Sequence, residues 1–149
     1  MRYLYIVIRI GLGIVFIWAS VDKIFNPEMF AEMVYHYKIM PNILIHPMAI
    51  FLPWLELITG ILLIIGLWER AGLILFNLLI FVFIVALASA LFRGLDIQCG
   101  CFTVDPNAEK ELVISLLRDI VLLIVGMACL IKAIRSHKKY LYLSHRKYL

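Results

Sequence analysis

Cys99 and Cys101, with Gly100 between them, are the residues of this chain whose type and spacing most directly suggest chemistry. Their Cα atoms can lie no more than roughly 7 Å apart, whereas a disulfide needs about 4.4 to 6.8 Å and a restricted torsion, so a bridge forms only if the backbone bends. Gly100 permits the bend because it has no Cβ. So tight a bridge stores strain, and strained, exposed disulfides have the more oxidising potentials. The pattern points to a dithiol that cycles. Two other readings stay open. The thiolates could be two of the three or four ligands of a soft metal ion, or inert thiols in a loop.

The elements that must position this pair are apolar. Of 149 residues, 64% are hydrophobic, well above the roughly 45 to 50% of a soluble domain, and this implies a membrane protein. The formal net charge of +4 lies mostly in the carboxy-terminal tail, which argues against a nucleic-acid-binding surface. Four runs, over residues 4–25, 45–68, 71–92 and 112–134, are each long enough to cross about 30 Å of hydrocarbon. The first is read as a retained helix, not a cleaved signal, because Arg9 interrupts it, Trp18 is bulky near any cleavage point and Asp22-Lys23 follows. Between the first two runs, residues 28–38 place Phe30, Met33, Val34 and Tyr37 at helical intervals among charges, as an interfacial amphipathic helix would. Pro41 and Pro47 are expected to bracket the turn into the second span, and Glu69-Arg70 to form the next connection. The small residues Ala86, Ala88, Ser89 and Ala90 suit close packing at the end of the third. Asp105-Pro106 reads as an N-cap and first helical residue leading into the fourth.

The expected fold is an all-α integral membrane protein: a four-transmembrane-helix bundle over residues 1–134, a short interfacial helix between its first two spans, and a basic tail over residues 135–149. Lys132, Arg135, Lys138, Lys139, Arg146 and Lys147 make that tail cytoplasmic by the positive-inside rule, together with Arg2 and Arg70. The opposite loops, where Lys23 is counted, carry more acidic residues than basic ones. The Cys99 and Cys101 turn would then face the periplasm or exterior, where disulfides persist.

Ionisable side chains at membrane depth are costly and usually face the bundle interior. Counting about 1.5 Å per residue places Glu56 and Arg118 in one layer, roughly 9 to 14 Å below the outer surface, so an ion pair between them is expected. Asp119, about 100° around the helix, would need another partner. Such a pair could fix helix register alone, or could relay protons or polarise a quinone. Arg9 is shallow enough to snorkel, Cys129 reads as a small apolar residue, and His36 and His46 read as solvated interfacial histidines.

Arg9 in the first helix, Asp22-Lys23 with Asn26-Pro27 at its end, Pro41, Pro53, Glu56 and Gly60, Cys99-Gly100-Cys101-Phe102, and Leu117-Arg118-Asp119 together resemble the MauE branch of the DoxX-like membrane proteins over about residues 1–133. Thr103 departs from the pattern, standing where a second glycine is expected. The resemblance implies a bacterial inner-membrane protein linked to methylamine utilisation, to maturation of disulfide-rich periplasmic protein beside a thioredoxin-like partner, and through DoxX-type relatives to quinone. The function expected is thiol-disulfide exchange, with Cys99 and Cys101 catalytic, Glu56, Arg118 and Asp119 supporting, no metal ligands and quinone as the conceivable cofactor. The alternative is a non-catalytic membrane subunit or anchor, or a handler of soft metal, within a larger complex.

Overall fold

The computed structural model describes residues 2–37, 41–93 and 112–146. They form five helices and no strand among the described residues: α1 (Arg2–Phe25), α2 (Pro27–His36), α3 (Asn42–Ile65), α4 (Glu69–Phe92) and α5 (Leu112–Arg146). Segments of α1, α3, α4 and α5 are each long and apolar enough to cross a membrane, while α2 is the short helix expected between the first two. The protein is therefore a four-helix membrane bundle. α5 continues without a break past residue 134, so its helix carries on into the basic tail.

Each spanning helix has one stripe turned inward and a broad apolar face turned out. On α1 the buried stripe is Leu12, Phe16, Ala19, Ser20 and Lys23, whereas Val7, Ile14, Trp18, Val21 and Phe25 are exposed. On α3 the stripe is Ile45, Ala49, Pro53, Glu56, Thr59, Gly60 and Leu63. Steps of three and four residues keep each set on one side of a 3.6-residue helix. α1 packs most extensively on α3 and α4 on α5, and α3 joins the two pairs. The main core lies where Leu12, Phe16, Leu63, Leu73, Phe76, Ile80 and Cys129 meet, which confirms Cys129 as a packed apolar residue.

The α1–α3 crossing depends on two glycines. A Cβ on Gly13 would lie 2.7 Å from the Gly60 carbonyl oxygen, and a Cβ on Gly60 would lie 2.8 Å from that of Gly13. The backbones touch, as at small-residue crossings in lipid, where packing rather than the hydrophobic effect holds helices together. The buried hydroxyls of Ser20 and Thr59 are satisfied within their own helices: Ser20 donates to the Ile17 carbonyl at 2.8 Å and Thr59 to that of Leu55 at 2.7 Å.

Two connections differ from the sequence reading. Pro41 is the N-cap of α3, but Pro47 lies inside that helix instead of closing a turn. Proline removes one backbone donor and is tolerated in membrane helices when neighbours satisfy the freed carbonyl. The tight α3–α4 connection is Gly66-Leu67-Trp68, and Glu69 and Arg70 already belong to α4. Gly66 ends α3 in the left-handed region at φ 77°, with its N–H donating to the Leu62 carbonyl at 2.9 Å, the glycine C-terminus that the sequence signal would have given. α2 follows α1 after Asn26 alone, with Pro27 at its first position, where a missing N–H leaves no bond unmade.

Candidate functional site

The α1, α2, α3 and α4 helices converge on Lys23. Its Nζ donates to both carboxylate oxygens of Glu56, at 2.7 and 2.8 Å, and the two side chains are 0% and 1% exposed. Nζ also lies 5.3 Å from the centre of the Phe30 ring and 4.9 Å from that of Phe83. Both are within the roughly 6 Å over which a cation is drawn to a ring face. The ammonium is thus held by one carboxylate from α3 and by aromatic faces from α2 and α4.

This corrects the expected Glu56–Arg118 pair. Both oxygens of Glu56 are engaged by Lys23, and the Arg118 guanidinium reaches its own neighbour, Asp119 Oδ1, at 3.4 Å. Asp119 lies on the buried stripe of α5 and is 1% exposed; the Arg118 side chain, one residue earlier, is 38% exposed. The 100° step between them, which suggested separate partners, is spanned by the long arginine side chain folding back. Among the described residues Asp119 Oδ2 has no hydrogen-bond partner, yet the residue lies within electrostatic reach of Lys23. Lys23, Glu56 and Asp119 therefore form one buried polar cluster.

Lys23 itself was missed, because Asp22-Lys23 at the end of an apolar run reads as the start of a loop. The signal that could have found it is the stripe, since Lys23 continues the spacing of Leu12, Phe16 and Ala19 by one more turn. Its stem packs as an apolar chain would, and its charge meets Glu56 across the α1–α3 contact. Nearby, Asn26 Nδ2 donates to the Asp22 carbonyl at 3.3 Å and to Asp22 Oδ1 at 3.4 Å, which fixes the turn into α2.

Tyr37, the C-cap of α2, packs with Phe83 and Leu116 against Leu87 and Ala90. Burial, reinforced by the Asp119 carboxylate, pushes its phenol above the ordinary range. A second ion pair stands apart from this cluster. Arg9 donates to Glu69 Oε2 at 2.7 Å with 12% of its side chain exposed, so it is tied to the start of α4 instead of snorkelling free. His36 is exposed, with Nε2 3.9 Å from Glu32, and His46 is exposed as expected.

A buried pair stabilises little in total, because desolvating two charges offsets most of their attraction; removing one partner is what costs. Such a cluster fixes which faces of α1, α3 and α5 meet, and it holds exchangeable protons in the bundle. No group of three or more His, Cys, Asp or Glu residues placed to hold a metal occurs among the described residues. Cys99 and Cys101, like Asp105-Pro106, lie outside the described residues.

The residues that carried the resemblance now have structural roles: Arg9 pairs with Glu69, Lys23 with Glu56, Asn26 with Asp22, Gly60 crosses Gly13, and Arg118 meets Asp119. The profile of the family described as "Methylamine utilisation protein MauE" matches residues 1–132. The methylamine utilization protein MauE of Paracoccus denitrificans is 29% identical over 124 residues, covering 81% of this chain and 65% of the relative. That of Methylophilus methylotrophus is 29% identical over 117 residues, covering 78% and 60%. That of Methylorubrum extorquens is 33% identical over 85 residues, covering 56% and 46%. The chain thus spans less than two thirds of the length of these relatives. No solved structure matches. With its profile match covering the first three spans and most of the fourth, this chain belongs to the MauE family.

Proposed function

We propose that this protein is a membrane thiol-disulfide redox protein in which Cys99 and Cys101 exchange electrons with an extracytoplasmic thioredoxin-like protein. The observation that carries the reading is the Cys-Gly-Cys pair in the segment between α4 and α5. One thiolate attacks the partner's disulfide, and the other resolves the mixed disulfide that forms. Reduction of the Cys99–Cys101 disulfide takes up two electrons and two protons, and reoxidation returns them. The protein resides in the inner membrane with both termini in the cytoplasm, an orientation supported by the basic residues that follow the fourth span. Its redox state is coupled to quinone in the bilayer, and the pathway served is maturation of periplasmic protein in methylamine utilisation. Glu56 and Asp119, with Lys23, support the site from within the bundle.

The test is capture of a partner. A Cys101→Ser or Cys99→Ser variant, lacking the resolving thiol, should accumulate a reducible mixed disulfide with a thioredoxin-fold protein in intact cells. No such adduct with either variant would favour the non-catalytic membrane subunit.

A further inference from the structure

α2 packs on α3 and α1, and an apolar cavity of about 270 Å³ separates it from α4. Among the described residues its lining carries no charged side chain, and the Tyr37 phenol is its one hydroxyl. Lys23 Nζ rests on the Phe30 and Phe83 rings, which belong to the wall, but the lysine is 0% exposed and stands outside the lining. The rings therefore close the polar cluster off from the cavity. The rim includes Phe81 and Val85, exposed side chains of a spanning helix, so the mouth opens sideways toward lipid. Counting inward from Asn42 and Phe92 at about 1.5 Å per residue puts the lining residues Met48, Leu52, Phe81 and Ala86 roughly 9 to 17 Å from the helix ends. In a bilayer with about 30 Å of hydrocarbon, that is the depth of chain carbons and not of head groups.

An apolar cavity of about 150 Å³ already stays dry and takes up an apolar guest, and this one is larger. Left empty, its walls would lose the dispersion contacts that partner atoms supply. The guest must come out of the bilayer through the lateral mouth, and it must bring no polar group to this depth, because the lining offers no charge to meet one. A phospholipid meets both conditions: its head group stays at the interface while its chain reaches the cavity.

We propose that this cavity seats an acyl chain of a membrane phospholipid, and that the chain is the packing material that joins α2 to α4. Seated there, it backs the two rings that hold Lys23, one from each of those helices. The site does not rest on the thiol exchange, since no cysteine lines it.

The experiment reconstitutes the full chain in nanodiscs containing a phospholipid with a diazirine in the middle of one acyl chain, and maps the adducts after illumination. Met48, Leu52 and Phe83, all half-buried, should be labelled more heavily than the exposed, lipid-facing Ile74 and Leu78 of α4, and their labelling should saturate. Ala86→Phe should cut the cavity adducts at least about tenfold, because a ring and a chain cannot share a close-packed space, and should leave those at Ile74 and Leu78 unchanged. Val34→Trp fills the same space from α2 if Ala86→Phe does not fold. Hydrogen exchange across residues 27–36 should slow several-fold when the same phospholipid is added to delipidated wild type. Labelling no denser in the cavity than at Ile74 and Leu78, cavity adducts unchanged in the filled variants, or α2 exchange indifferent to lipid would overturn the inference. So would cavity residues that stay unlabelled in nanodiscs but crosslink to a second protein in native membranes, which would assign the cavity to a partner's helix.

Discussion

Replacing Glu56 by leucine tests the central cluster most sharply. The substitution keeps the side chain's approximate bulk but leaves the Lys23 ammonium, 0% exposed, with the faces of Phe30 and Phe83 and the Asp119 carboxylate, to which it makes no hydrogen bond among the described residues. Those faces are worth roughly 0.5 to 2 kcal/mol, whereas stranding one member of a buried pair costs about 3 to 5 kcal/mol. For a chain of this size each kcal/mol moves the melting temperature by about 2 to 4 °C, so Glu56→Leu should melt about 6 to 20 °C below wild type in detergent. Lys23→Met should be at least as damaging, since it removes the positive charge facing both Glu56 and Asp119. A Lys23→Met, Glu56→Leu double variant should recover most of the loss, because exchanging a whole buried pair for apolar groups is often neutral or stabilising by about 1 to 4 kcal/mol. Thermal melts of the three variants beside Glu32→Gln, an exposed control, complete the cycle. If Glu56→Leu fell no further than Glu32→Gln, or the double variant lost the sum of the singles, the buried pair would be refuted.

Other expectations concern the rest of the bundle. Gly13→Ala and Gly60→Ala should each destabilise by about 1 to 3 kcal/mol through backbone overpacking, whereas Gly11→Ala, whose Cβ would meet nothing within 4 Å, should be neutral in the same melt. Glu69→Gln should cost less than Glu56→Leu in thermal denaturation, because the Glu69 side chain is 34% exposed and water can solvate what remains. Tyr37 is held protonated by its surroundings in the folded state. Its contribution is therefore complete below the ordinary phenol pKa of about 10 and is lost as pH rises from there toward its higher folded value. Melts between pH 8 and 11, chosen about that value, should show a decline that is shallower in Tyr37→Phe. A membrane-impermeant maleimide added to reduced intact cells should label Cys99 or Cys101; labelling only after lysis would reverse the topology.

The helices were legible in the sequence because lipid makes a simple demand: twenty or so apolar residues, punctuated by Asn26-Pro27, Pro41 and the polar residues at 93–111. The partners of the charges were less legible. Depth along each helix put Glu56 and Arg118 in one layer, but depth does not say which faces meet. Facing is set by the Gly13–Gly60 crossing, which brings α1 against α3 and hands Glu56 to Lys23. That contact joins positions 33 residues apart. Lys23 also looked like a loop residue because its charge outweighed its place on the stripe. Pro47 was read as a turn because proline breaks helices in water, while a bundle in lipid accommodates it. Gly66, by contrast, carried an ordinary C-terminal signal that a stricter reading would have used.

The thiol pair is the centre of the functional account, and its redox behaviour can be measured directly. The purified protein is equilibrated in defined thiol-disulfide buffers, trapped with a maleimide of known mass, and scored for the state of Cys99 and Cys101. The account predicts one reversible two-electron couple more oxidising than the roughly −300 mV below which structural disulfides lie, lost in a Cys99→Ser, Cys101→Ser variant. Two thiols that never form a reversible bridge, or a bridge that stays closed below that potential, would contradict it.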